Sequence, residues 1–350
     1  MFSIKIQGKE FKNFNDFKLN LTFDSIASTF SFNAQFNPEN PDHRNLFRPA
    51  SFRKCEVFDG NGELILTGVI LNHKFSESST PKLIGVSGYS VTGVLEDSSI
   101  SPDSYPLESS EKSINQIATS LIKPFGLSLV SNEPEANEVL EKSTASATDT
   151  VKSYLSKICA QKNLILTHNA TGKLLIVKQR VLNNSIPFLK DIDIDLTVNG
   201  QAMHSEITVL KQASATDSNS SQETIKNPFI TDFQTEITPS NKFVPNYRPL
   251  VKEQSSGANG DTALAAKNAL ANDLKALKFS LKLKTWYINK VLIKPGTLVF
   301  IQSDNLFLYN KTKVFIQSVA FSGTPTAQVA SLTCVLPEVY NNETPKNIFL

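Results

Sequence analysis

The sequence predicts a mainly β fold carrying an α+β insertion. Three observations predict it. Apolar residues alternate with polar ones at period 2 near both ends of the chain, as half-buried strands do. Between about residues 105 and 180 the period shifts to the i, i+3, i+4 stripe of amphipathic helices. The aromatics are lopsided, with 23 Phe, 7 Tyr and 1 Trp, and charged residues make up only 19%, against a usual ~25%. Much Phe with little charge suits β cores and large buried contacts between subunits.

The first ~100 residues read as a β domain. Phe11, Phe14, Phe17, Leu19, Leu21 and Phe23 lead into Ile26, Phe30, Phe32, Ala34 and Phe36. Within them, residues 17–23 and 30–36 alternate cleanly. Asn37-Pro38-Glu39-Asn40-Pro41 interrupts as a loop. Residues 55–58 and 63–70, separated by Asp59-Gly60-Asn61-Gly62, read as a hairpin. Gly68 inside the second run predicts a bulge or sharp bend, as barrel strands need. Residues 82–89 form a further strand.

Residues 101–180 read as a helix–strand–helix–hairpin unit. Ile114, Ile117, Ala118, Leu121 and Ile122 form one helical stripe, with Ser109 or Ser110 as its cap and Pro124 and Gly126 as its stop. Residues 127–130 follow as a strand, and 131–145 are polar and acidic. Val151, Tyr154, Leu155, Ile158 and Cys159 mark a second helix capped by Thr148 or Asp149. Residues 164–168 and 174–177, joined by a turn at 169–172, form a hairpin.

Residues 181–260 hold strands up to about 210, a polar loop over 211–224, and proline-bearing extended segments. These segments are expected to complete the β domains in part. Residues 261–350 begin with an Ala-rich helix over 261–277, with Leu270, Leu274 and Leu277 on one side. Strands follow from Trp286-Tyr287-Ile288 through 298–301, 314–321 and 330–336. Two β regions of similar plan, around 55–75 and 298–322, thus flank the α+β unit.

A length of 350 residues allows two or three domains at ~100–200 residues each. The formal net charge of +2 argues against a dedicated nucleic-acid binder and against disorder. No run of ~20 apolar residues predicts a membrane helix, and the N-terminus lacks the layout of a secretory signal. The near-zero total hides an asymmetry: residues 1–150 sum to −6, 151–250 to +3 and 251–350 to +5. Solvated surfaces of different domains would explain this; so would complementary faces that pair between neighbours.

No residue is assigned a catalytic, cofactor-binding or metal-ligating role. Cys55, Cys159 and Cys334 are odd in number and far apart, which disfavours a disulfide framework. His43, His73, His168 and His204 show no ligand spacing. Asp191, Asp193 and Asp195 alternate along one strand, but Leu196 stands where a calcium loop needs glycine. Asp59-Gly60-Asn61-Gly62 is explained by a hairpin turn. Ser87-Gly88-Tyr89-Ser90-Val91 is not a nucleophile elbow, and Cys159 on an apolar stripe reads as a core thiol. Gly257 and Gly260 lack the lysine and strand of a phosphate loop. Lys275, Lys278, Lys282 and Lys284 read as a solvated helix end or as a dock for an acidic surface or passing DNA.

The ordered pieces resemble the central baseplate hub proteins of contractile-tailed phages. That group includes the late control protein D family and the hub part of type VI secretion spike proteins. The most specific stretch is Gly88-Tyr89-Ser90-Val91-Thr92-Gly93-Val94-Leu95-Glu96-Asp97-Ser98-Ser99, similar to the family's exit from the first barrel. The family's frequent Arg near Tyr89 and Cys at Ser98 are absent here. Residues 59–69, 114–129, 150–177, 286–300 and 314–337 resemble further family segments in the same order. The resemblance implies two similar β-barrel domains, 1–100 and 261–350, flanking the helix–strand–helix–hairpin domain of 101–180. It implies a homotrimer whose six barrels form a pseudo-sixfold ring, with a central spike protein and a tail tube protein as partners, and tape-measure and wedge proteins as further neighbours. DNA would pass through the lumen without specific binding. The expected location is the tail baseplate of a virion assembled in the host cytoplasm, and no cofactor is implied. No glycine-periodic spike repeat follows the second barrel, so the spike is expected to be a separate protein.

Two rival readings belong to other classes. A β-rich adhesin or carbohydrate-binding module would cluster exposed Trp and Tyr, and the chain has one Trp. A cell-wall hydrolase would need convergent carboxylates or a metal set, which the sequence does not present.

Overall fold

Strand alternation in the sequence becomes sheet in the computed structural model, which describes residues 2–11, 14–77, 82–105, 107–178, 186–211, 220–231, 247–254, 261–324, 327–341 and 343–350. The protein is mainly β with some helices, as the sequence predicts. It divides into two compact units whose sequences interleave. The first holds Met1–Val177, Lys282–Pro295 and Gln317–Leu332; the second holds Lys178–Leu281, Gly296–Ile316 and Thr333–Leu350.

In the first unit, strand Phe14–Thr22 buries Phe17, Leu19 and Leu21 and turns Lys18 and Asn20 outward. It pairs antiparallel with Thr29–Gln35, which buries Phe30, Phe32 and Ala34. The order continues through Leu83–Ser90, Leu64–Ser76, Lys54–Phe58, Ser3–Ile6 and Lys9–Phe11. On the other side of Phe14–Thr22 lies Leu308–Gly323, through its residues 318–323, in the register Val319↔Leu21 and Phe321↔Leu19. Segments from opposite ends of the sequence therefore share one core. Phe2 stacks on Trp286 at 4.3 Å and meets Phe17 and Phe321 at 5.0 and 5.5 Å. The buried indole donates to the carbonyls of Ser322 and Val329 at 3.2 and 3.0 Å. Each such buried aromatic contributes roughly 1.5–3 kcal/mol. The strand order is an open path, and no pairing among the described residues closes it into a barrel.

Gly68 does not mark the bulge that the sequence suggests. It sits in register opposite Cys55 and Ser90, and the irregularities in that strand fall between Leu64 and Leu66 and between Ile70 and Asn72. The glycine is required because its strand crosses close over Leu83–Ser90. A Cβ there would lie 2.6 Å from the Tyr89 carbonyl oxygen and 2.8 Å from the Phe30 ring. Gly88 answers it from the other strand, where a Cβ would meet the Val69 carbonyl and the same ring.

The α+β part of the first unit keeps its predicted stripes. Helix Ile114–Ile122 buries Ile114, Ile117, Ala118, Leu121 and Ile122, and helix Val151–Ala160 buries Val151, Tyr154, Leu155, Ile158 and Cys159. They pack with Leu164, Leu166, Leu174 and Ile176 of the hairpin Ile165–His168 and Leu174–Val177. Strand Leu129–Ser131 joins that hairpin in parallel. The caps move from their predicted places. Ser113, not Ser109 or Ser110, caps the first helix, in a reciprocal capping box with Gln116. Thr150, not Thr148 or Asp149, caps the second. Ser109 and Ser110 belong to strand Glu108–Ser113, which pairs with Val139–Thr144 inside the stretch read as polar and acidic.

In the second unit, strand Leu298–Ser303 pairs antiparallel with residues 308–315. Strand Glu206–Lys211 sits between Ser221–Lys226 and Pro249–Gln254. Helix Thr262–Leu274, capped by the Asp261 carboxylate on the Ala263 and Leu264 amides, packs Ala269 and Leu270 against Ile207, with Ile225 and Leu250 beside them. The helix ends at Leu274 with Lys275 as its C-cap, so Lys275 alone of the lysine run stands at the helix end. Strand Leu277–Leu283 buries Leu277, Phe279, Leu281 and Leu283 and turns Lys278 and Lys282 outward. Gly257 and Gly260, and residues 212–219 of the polar loop, lie outside the described residues.

Candidate functional site: a polar junction under the α+β domain

The sequence that resembles the hub families most closely builds a buried polar cluster in the first unit. Strand Leu83–Ser90 ends there, and the chain turns through a 3₁₀ segment, Val91–Gly93, into the short helix Val94–Asp97. A strand that stops inside a protein leaves backbone groups without ladder partners, and burying them unpaired is costly. Hydroxyl groups supply the partners here. Ser90 and Thr92 are fully buried and Ser28 nearly so. The Ser90 hydroxyl donates to the Ile26 carbonyl at 2.8 Å and accepts the Ser28 amide at 3.2 Å. Thr92 Oγ1 donates to the same Ile26 carbonyl at 2.6 Å. The Ser90 amide closes the cluster on the Ser28 carbonyl at 2.7 Å.

The hairpin of the α+β domain enters this cluster from the other side. His168 Nδ1 lies 3.2 Å from the Asn169 carbonyl, which can only accept, so in the neutral ring Nδ1 carries the proton. Nε2 is then the acceptor for the Ser28 hydroxyl at 2.8 Å. Burial holds this imidazole below its usual pKa, against an opposing contribution from the Asn169 hydrogen bond. Thr167 Oγ1 donates to the Ser25 carbonyl at 3.3 Å, and Thr67 Oγ1 donates to the Ala170 carbonyl at 2.8 Å. Backbone closes the seam: Ser99 bridges to Thr150, and the Val151 amide donates to the Ser98 carbonyl at 3.1 Å. Tyr89 packs its ring where a Gly93 Cβ would sit. Burial first, then a hydrogen bond to Asp97, pushes its phenol up to about 12. The cluster holds neutral donors and acceptors in fixed pairs, an arrangement that joins two parts, and its Ser28 hydroxyl, although paired with the His168 imidazole, is 1% exposed.

The other singled-out residues are accounted for by local structure. The buried Asp59 carboxylate accepts the Asn61 and Glu63 amides at 2.9 and 2.8 Å, which makes the hairpin turn. Asp193 and Asp195 lie exposed on strand Asp193–Val198, and Asp191 precedes it at a φ of 54°. Among the described residues no group of three His, Cys, Asp or Glu side chains is placed to hold a metal. Cys159 is buried in the helix stripe, and burial pushes its thiol up to about 12. His43 accepts the Asn37 amide, and His204 sits 3.0 Å from the Asp273 carboxylate. His168 is the residue that sequence reasoning missed. Its neighbours in the chain are ordinary, and its partner Ser28 lies far away in sequence.

Comparison with known proteins bears on this same stretch. Residues 92–178 match the family model for the second domain of gp44-like baseplate hub proteins. The match covers about a quarter of the chain. The match begins at Thr92, inside the junction, and runs to the end of the hairpin. The fold of the whole chain is shared more widely. It is similar to the 43 kDa tail protein of prophage MuSo2 from Shewanella oneidensis, with 19% identity and a TM-score of 0.76 over 97% of this chain and 99% of that one. A tail protein from Neisseria meningitidis MC58 gives 18%, 0.76, and 98% of each chain. The E. coli c3393 protein, a type VI secretion component described as similar to the T4 tail proteins gp27 and gp5, gives 12% and 0.57 over 99% of this chain and 79% of its own. No curated protein matches the sequence. The chain is thus hub-like over 92–178 and has a phage tail protein fold across its length.

Proposed function

We propose that the protein is the central baseplate hub of a contractile tail or a related injection machine, working by assembly geometry and not by catalysis. The observation that carries this reading is the coincidence of a hub second domain at 92–178 with a tail-protein fold covering 97% of the chain. On this reading the β domains at 1–100 and 261–350 act as two similar barrels, the α+β domain spans 101–180, and 181–260 completes the barrels in part. Three copies close into a ring of pseudo-sixfold character, the form that repeated heterologous interfaces take when their rotation closes. The ring joins the tail tube to the central spike, with tape-measure and wedge proteins as further neighbours. It reaches the virion baseplate after assembly in the host cytoplasm.

Charge supports the same reading. A formal net of +2 gives no strong grip on a polyanion, so DNA is conducted and not held. The acidic first part and basic last part suit a surface neutralised by copies of itself. The test is the mass of the purified protein by light scattering, followed by negative-stain imaging with co-expressed spike and tube proteins. Trimeric rings bound to either partner are the expected result. Monomers only, with both partners present, overturn the reading.

A further inference from the structure

In the first unit, the sheet face turned away from the core carries rows of small polar side chains. Register aligns them across neighbouring strands. Ser322 stands opposite Lys18, Lys18 opposite Ser31, Ser31 opposite Ser87, and Ser87 opposite Asn72. In the next row Asp16 stands opposite Asn33, Asn33 opposite Gly85, and Gly85 opposite Lys74. Phe17, Leu19, Phe32, Ile84, Val86 and Phe321 alternate with them and are buried on the other face. Serine and glycine in the middle of the rows leave a trough of about 270 Å³. Asp16 and Lys18 stand at one rim, Asn72 and Lys74 at the other.

The unpaired charge on these rows is positive. Lys18 and Lys74 are exposed, and neither has an ion-pair partner among the described residues. Asp16 is the single carboxylate of the two rows, and Asn33 engages both of its oxygens. One accepts the Asn33 backbone amide at 3.0 Å and the other its side-chain amide at 2.8 Å. Residues 1–150 sum to −6, so the face is poor in acid where acid is common. The strands bearing the two lysines lie three spacings apart, about 14 Å. Between them stand only hydroxyls, amides and a glycine.

A seat for another protein has an aromatic or apolar centre, and these two rows have none. A sugar–phosphate backbone takes what they do offer: ammonium groups for its phosphates, and hydroxyl and amide hydrogens for its oxygens. We propose that this trough is a contact for the phosphate backbone of nucleic acid, with Lys18 and Lys74 as its two phosphate-binding groups. Two cations among neutral hydroxyls make a weak contact that is blind to sequence, along which a strand can slide. The inference rests on the hub reading, in which DNA passes through the protein, and names the surface it passes over.

The test is the fluorescence anisotropy of a labelled DNA duplex titrated with the full chain over a range of salt. Binding is expected at low salt and should fade toward physiological salt. In the double variant Lys18→Gln with Lys74→Gln, the slope of log K against log salt is expected to shrink by about 2 for each copy in contact. Lys112→Gln with Lys173→Gln removes the same charge from exposed positions elsewhere and should leave the slope unmoved. Ser87→Lys, in the middle of the trough, should steepen it by about 1. Thermal midpoints show that each variant is folded. No binding by the wild type at low salt, or an equal loss in the two glutamine pairs, overturns the proposal. Lysine-dependent binding of poly-glutamate without binding of the duplex assigns the face to an acidic protein and overturns it as well. Trimers in light scattering beside any of these failures leave the hub reading standing. Monomers with both partners present overturn the hub reading, whatever the duplex does.

Discussion

Removing the Ser90 hydroxyl should cost far more than removing that of Thr92, although both donate to the same carbonyl. In Ser90→Ala, the Ile26 carbonyl keeps Thr92 Oγ1 at 2.6 Å, but the Ser28 amide loses its acceptor at 3.2 Å. Ser28 is 1% exposed, so no solvent replaces it. A buried N–H left unpaired costs about 1–3 kcal/mol, and the exchanged hydroxyl bond about 1 kcal/mol more, so about 2–4 kcal/mol is expected. In Thr92→Val the shape is kept and the Ile26 carbonyl retains Ser90 at 2.8 Å. Nothing is orphaned, and about 1 kcal/mol is expected. The double variant strips both donors from Ile26, so its cost should exceed the sum of the two by about 1 kcal/mol. Urea midpoints at unchanged slope give these differences, and exchange of the Ser28 amide locates them. Equal costs for the two single variants, or an unchanged Ser28 amide in Ser90→Ala, would refute the reasoning.

Three further outcomes follow from the same structure. Burial lowers the pKa of His168, so below about pH 6.5 the unfolded chain takes up a proton that the native ring resists. The stability this neutral ring contributes is complete above that pH and is lost as pH falls toward the native value; His168→Asn should flatten the urea-midpoint profile over that window. Gly88→Ala drives a Cβ into the Val69 carbonyl and the Phe30 ring and should cost about 3 kcal/mol or more, whereas Gly200→Ala, with no atom in reach, should stay within about 0.5 kcal/mol by the same thermal melts. Cys55, Cys159 and Cys334 are free and buried, with thiols pushed up by burial, so a thiol-titrating reagent at pH 8 should find none reactive in the native protein and all three in denaturant.

Much of this fold is legible in the sequence because burial imposes a period. The alternation through Phe17, Leu19 and Leu21, and the stripe Ile114, Ile117, Ala118, Leu121 and Ile122, survive intact. The failures have one physical source each. Strands Glu108–Ser113 and Val139–Thr144 form a ribbon whose side chains mostly face solvent, so no apolar alternation marks them, and the helix cap is misplaced by the serines they contain. Lys278, Lys282 and Lys284 carry a strand's period, with Leu277, Phe279, Leu281 and Leu283 buried on its other face. An Ala-rich helix just upstream masks that change of period. The return of residues 318–323 to pair with Phe14–Thr22 has no local signal at all, because register between distant strands is set by the assembled core. The candidate site was half legible: its Ser90-Val91-Thr92 segment stands out in the sequence, while Ser28 and His168 do not.

That segment shows where a family resemblance can reside when most core positions differ. Apolar core positions exchange freely if volume and pattern are kept, which fits a shared fold at 19% identity and a TM-score of 0.76. A chain leaving a sheet for a helical domain has a stricter task, since each buried amide and carbonyl that loses its ladder partner needs a replacement at one position. Ser90, Thr92 and Ser28 meet that need toward the sheet, and Thr167 and His168 meet it from the hairpin. The Glu96–Lys152 ion pair, at 3.1 Å, and the Ser98 carbonyl on the Val151 amide fasten the helices beyond. The joint within the chain is built from hydroxyls and one imidazole. The net charge is distributed separately from this joint, as −6 over residues 1–150 and +5 over 251–350.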